Sequence, residues 1–181
     1  MVSSFPKSAG RSARAILPFA SNSGGSSMAD VQPDNTTGRC VCGDLQYLLR
    51  SPPLFTHACH CLDCQRKTGT AFSMTTIVMR TDLEITHGGL RSEQINPGRT
   101  RHACAKCNTP IYVSSVAFPS TFALRPGTLD DTSVALPQAH IWVCRKQSWL
   151  SLPDDVPKFE FQYVQDELWP AASIARLRGA Q

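Results

Sequence analysis

Seven of the eight cysteines in this 181-residue chain stand in three tight clusters. They are Cys40-Val-Cys42, Cys59-His60-Cys61-Leu62-Asp63-Cys64 and Cys104-Ala105-Lys106-Cys107. Thiolates two or three residues apart can face one ion, and an ion that gathers distant pairs fixes the chain path between them. Zinc takes four side chains in a closed structural site, or three plus an open position in a catalytic one. Seven sulfurs divide naturally as four plus three.

Disulfides are the competing reading. A Cys-x-Cys pair closes a strained ring and makes a poor internal disulfide. The longest apolar stretch near the start, residues 15–20, is interrupted by Pro18, too short for a membrane span and short for a secretory core. The clusters therefore read as reduced chelating pairs, and the expected location is cytoplasmic. The net charge is +4, and Lys7, Arg11 and Arg14 supply +3 of it before the first acid, Asp30. The rest is close to neutral, which gives no electrostatic case for nucleic acid or an anionic membrane. Residues 1–37 are rich in Ser, Gly and Ala and read as a disordered extension. Arginines among serines without acids are also compatible with a transit peptide for mitochondrial import, and Met28 offers an alternative start.

The domain is expected over residues 38–162, followed by a partly helical tail over 163–181. Strands are expected at 40–49, 54–58, 71–79, 83–86, 98–103, 110–114, 118–124 and 139–144, with a helical turn at 61–68 before Gly69. A helix is expected over 165–177, started or interrupted by Pro170. Many short strands at close spacing make the fold mainly β.

The first and third clusters form a natural pair, with Cys40, Cys42, Cys104 and Cys107 around one structural zinc. A redox Cys-x-x-Cys is the alternative at Cys104 and Cys107, although no βαβ pattern surrounds it. The middle cluster, Cys59, Cys61 and Cys64, is the functional candidate, its fourth position open to water or a thiolate. The alternative is a second closed site with His60 or His57 as fourth ligand, or with His60 turned away from the metal. Cys144 reads as core, His140 as a core or rim residue rather than a ligand, and Trp149 and Trp169 as packing or a pocket wall. Arg99 and Arg101 read as a carboxylate site or a solvated face.

The order Cys40-x-Cys42-Gly43, Cys59-His60-Cys61-x2-Cys64-x4-Gly69 and Cys104-x2-Cys107 resembles the glutathione-dependent formaldehyde-activating enzyme family, which includes the centromere protein V group. Gly127-Thr128-Leu129-Asp130-Asp131, His140-Ile141-Trp142 with Trp149, and the ending from Leu152-Pro153 to Phe159-Glu160 are also similar to that family. The resemblance spans roughly residues 38–161. It implies a β-tent fold of the Mss4-like type and two Zn2+ per chain, a structural one on Cys40, Cys42, Cys104 and Cys107 and a catalytic one on Cys59, Cys61 and Cys64. The activity it implies is a carbon–sulfur lyase acting on adducts of a thiol such as glutathione with a small aldehyde, formaldehyde in the family's name. A non-catalytic zinc-stabilised binding module on the same scaffold is the alternative. The chain departs from the family pattern at Ala103, where an aromatic is common, at Gln65, where a basic residue is frequent, and at Asn108, where Gly is usual. Asn tolerates a left-handed backbone, so the turn after Cys107 is expected to survive.

Overall fold

The computed structural model describes residues 35–180. All but the last three residues of the expected extension over 1–37 lie outside them. The chain runs β1 (Thr36–Arg39), β2 (Gln46–Leu49), β3 (Phe55–Cys59), α1 (Leu62–Thr68), β4 (Ser73–Met79), β5 (Leu83–His87) and β6 (Leu90–Asn96). It continues with β7 (Arg99–Cys104), β8 (Pro110–Ser115), β9 (Phe118–Leu124), β10 (Ala139–Ile141), β11 (Lys158–Phe159), α2 (Gln165–Leu168) and α3 (Ala171–Gly179). The fold is mainly β, as expected. One sheet has three antiparallel strands in the order β1-β2-β5; the other has eight, in the order β11-β10-β3-β4-β9-β8-β7-β6. Pairing is antiparallel except at β10, which lies parallel to both β3 and β11. Among the described residues no helix is long and apolar enough to cross a membrane.

The sheets meet through contacts that the cysteine pattern does not show. A Cβ on Gly38 would sit 2.2 Å from the Tyr47 ring, so only glycine lets β1 pass over that side chain. The Tyr47 hydroxyl shares a 2.7 Å hydrogen bond with the Thr128 hydroxyl. Next to it Asp130 accepts from the Thr37 hydroxyl at 2.7 Å and pairs with Arg39 at 2.9 Å. The Gly127-to-Asp131 motif is thus the clip that holds β1 against the larger sheet. One apolar core lies beneath it, built on Leu45, Tyr47, Leu49, Val78, Ile111 and Leu124 and including the buried Cys40 and Cys104. A second core gathers Leu54, Phe55, Met79, Ala139 and Trp169.

The boundaries differ from expectation where backbone chemistry overrides the apolar pattern. Residues 40–45 are a turn, not strand: Cys40 N–H donates to Leu45 O at 3.0 Å, and Gly43 takes φ 76°. The strand expected over 139–144 stops at Ile141 because Trp142 has φ 58°. Cys144 consequently is exposed, donating to Glu160 O at 2.9 Å, and is not core. β6 escaped the pattern because it is an edge strand, Leu-Arg-Ser-Glu-Gln-Ile-Asn, exposed at six consecutive positions. The C-terminal segment packs on the body: Arg176 pairs with Asp82 and donates to Pro52 O, both at 2.8 Å.

Candidate metal centre

The Cys104–Cys107 pair sits in the turn between β7 and β8. Cys104 N–H donates to Thr109 O at 3.0 Å and Asn108 N–H donates back to Cys104 O at 2.9 Å, with Asn108 at φ 59°. Asparagine therefore occupies a left-handed position, and the turn expected to survive there does. The Cys40–Cys42 turn comes alongside it, and the sulfurs of Cys40, Cys42, Cys104 and Cys107 all lie within 4.8 Å of one another. Cys40 and Cys42 Sγ are 3.4 Å apart. Four sulfurs at about 2.3 Å from one zinc would be roughly 3.8 Å from each other, so the group fits that ion. Thr109 joins the two turns: its hydroxyl donates to Cys107 Sγ at 3.0 Å and accepts from Val41 N–H at 3.3 Å. The Thr109 hydroxyl and backbone bring Cys107 down to about 5. A backbone hydrogen bond at Asp44 favours the Cys42 thiolate, but the crowding sulfurs of Cys107 and Cys40 push Cys42 up to about 12. Four thiolates cannot share this space without a cation.

The second group is local. Cys59 ends β3, Cys61 is the N-cap of α1 with Sγ accepting from Cys64 N–H at 3.4 Å, and Cys64 lies in the first turn. Their three sulfurs lie within 4.8 Å of one another, and no His, Asp or Glu of the described residues joins them at that distance. The Cys59 thiol's hydrogen bond, then that of Cys61 and the charges of Arg125 and Lys67, outweigh burial and bring Cys64 down to about 6. The hydrogen bond with Cys64, then burial, drives Cys59 strongly up.

His60 points away from these sulfurs. It is fully buried, with Nε2 3.0 Å from His140 Nδ1. Burial, then the neighbouring His140 and Lys146, lowers its pKa to about 4. Gln65 holds the segment from behind. Its Nε2 donates to His60 O at 2.6 Å and to Arg145 O at 2.8 Å, while its Oε1 accepts from Gln147 at 2.7 Å. Bridging two carbonyls needs only a donor, which the Gln65 amide supplies.

The three sulfurs open onto a cleft of about 1530 Å³. Its walls include His57, Ile77, Phe118, Trp142 and Trp169, and no aspartate or glutamate of the described residues lines it. Arg99 lies on the cleft wall, whereas Arg101 is paired with Glu93. Arg125, half-buried, donates to the Ser73 hydroxyl and to Met74 O, close enough to Cys64 to favour its thiolate. Burial lowers His57 to about 4, so the ring is neutral. Sequence reasoning missed Arg125, Thr109 and Tyr163. None carries a motif, and only the pairing of β4 with β9 places the end of β9 beside the cysteines.

A crystal structure of a Rhodobacter sphaeroides protein aligns over 52% of this chain and 87% of its own, with 16% identity and a TM-score of 0.41. The family model described as glutathione-dependent formaldehyde-activating enzyme matches residues 35–145, a span that holds all seven clustered cysteines and ends before Tyr163 and Trp169. By that match, which covers more than half of the sequence, the chain belongs to the glutathione-dependent formaldehyde-activating enzyme family.

Proposed function

We propose that the protein is a zinc-dependent carbon–sulfur lyase that makes and breaks the adduct of a thiol with formaldehyde, in the manner of S-(hydroxymethyl)glutathione synthase. The observation that carries this reading is the three-sulfur group on the cleft, which no fourth Cys, His, Asp or Glu of the described residues joins at chelating distance. Cys59, Cys61 and Cys64 would hold the catalytic zinc, and Cys40, Cys42, Cys104 and Cys107 the structural one, within a scaffold of the Mss4-like β-tent type. Zinc bound there would supply a Lewis acid able to keep a thiol ionised at neutral pH. The chain's own residues do the rest. Arg99 on the cleft wall, with the charge of Arg125 close to Cys64, favours an anionic thiol such as glutathione. The apolar walls hold thiol and aldehyde together and limit water, which converts a bimolecular encounter into a local one. In the forward direction the thiol sulfur bonds to the carbonyl carbon, the π pair moves to oxygen, and the proton lost by the thiol ends there.

The test is metal analysis followed by cobalt replacement and thiol titration. Two zincs per chain are expected, with one cobalt spectrum altered by glutathione and the other inert. Enzyme-dependent exchange between free and hydroxymethyl glutathione is expected by NMR. A second metal blind to thiols, together with no exchange, would favour the non-catalytic binding module.

A further inference from the structure

His57 stands two residues before Cys59 on β3, and the period-two alternation of a strand puts both on the face that opens to the cleft. Its Nδ1 lies 3.1 Å from the Tyr163 hydroxyl, which is itself 3.1 Å from the Trp169 indole nitrogen. Indole N–H can only donate, so the Tyr163 oxygen accepts from Trp169. The phenol proton then has one acceptor among the described residues, His57 Nδ1. A neutral imidazole whose Nδ1 accepts carries its proton on Nε2. That Nε2–H makes no hydrogen bond to the described protein, and it is not sealed in; the fully buried unpartnered histidine nitrogens belong to His60 and His140. Packing holds the relay still. Trp169 stacks on Phe55 with ring centroids 5.4 Å apart, and Tyr163 meets the edge of Phe55 at 5.3 Å and of His57 at 5.8 Å.

We infer that His57 is a catalytic hydrogen-bond donor, its Nε2–H directed at the aldehyde oxygen, and that Tyr163 and Trp169 are positioning residues that fix this tautomer. The inference rests on the thiol–aldehyde reading above. As the sulfur–carbon bond forms, the carbonyl π pair leaves negative charge on oxygen, and a fixed neutral donor stabilises that charge without losing its own proton. The proton released by the thiol reaches the oxygen through solvent, so atoms and charge balance without a co-reactant. In reverse, the donor holds the same oxygen until the carbonyl re-forms and the thiolate departs. Tyr163 and Trp169 lie beyond residue 145, so the family match by itself does not contain the complete relay.

Two measurements on the full chain test this. In long-range proton–nitrogen NMR spectra, with His57→Gln providing the assignment, His57 is expected to show a protonated Nε2 and a bare Nδ1. Tyr163→Phe should move it to a mixture of tautomers. In glutathione–formaldehyde turnover by the zinc-loaded protein, His57→Phe should lower kcat by about 10²-fold with KM within about threefold. Tyr163→Phe should lower kcat by about tenfold, and His57→Gln, which keeps a donor, should recover part of the loss. A wild-type His57 protonated on Nδ1, or unchanged kcat in both His57→Phe and Tyr163→Phe, would overturn the inference. A wild type without turnover would refute the reaction and the donor role with it, while the tautomer spectra would still decide the relay separately.

Discussion

The two cysteine groups differ in how their sulfurs are brought together. The four-sulfur group joins turns near residues 41 and 106, and two of its members, Cys40 and Cys104, belong to the larger apolar core. The three-sulfur group comes from six consecutive residues at the end of one strand and the start of one helix, and it opens onto a cleft. A metal held by distant segments stabilises the fold that brings them together. A metal held by a local loop can keep a position free for chemistry, because the fold does not need that position filled.

Cysteine replacement is the largest test of this contrast. Cys104→Ala should leave the chain largely unfolded by circular dichroism, since structural zinc contributes roughly 10–16 kcal/mol against a typical total stability of about 5–15 kcal/mol. Cys61→Ala should keep a native spectrum and lose thiol-dependent turnover by more than about 10²-fold. Its melting point should fall by only a few degrees, reflecting a lost helix cap of about 1 kcal/mol. Equal unfolding of the two variants would erase the distinction between the groups. A finer test is Gln65→Ala, which strips a shared donor from the carbonyls of His60 and Arg145. It should cost about 1–3 kcal/mol in denaturant unfolding, while Gln65→Lys should restore part of this. The smallest effect belongs to Asn108→Gly, expected to change stability by less than about 1 kcal/mol because φ 59° suits both residues. Asn108→Val at the same backbone should be clearly worse.

The sequence was most informative where chemistry is local. Cysteine spacing led directly to the two sulfur groups, and the conformational tolerance of asparagine anticipated the turn at residue 108. His60 could be read either as a ligand or as turned away, because a backbone pattern does not orient a ring; His140, eighty residues later, decides it. Features that depend on a partner distant in sequence stayed hidden. Gly38 has no visible reason to be glycine until Tyr47 lies across it. Trp142 read as strand, and its left-handed backbone ended β10 early. Trp169 read as packing or a pocket wall and is both, but Tyr163, which joins it on the cleft wall, showed nothing until Phe55 offered both rings an apolar surface.

The separation between the paired turns also bears on when each proposed ion would be captured during synthesis. Residues 59–64 form a complete chelate as soon as they emerge, and collecting their three thiolates closes only very short loops. Cys42 and Cys104 must close a loop of about sixty residues, an entropic penalty that is repaid only once the intervening strands have paired. Under the proposed two-zinc reading the local loop is expected to load early and the long-range group last, so arrival of the second ion would mark completion of folding.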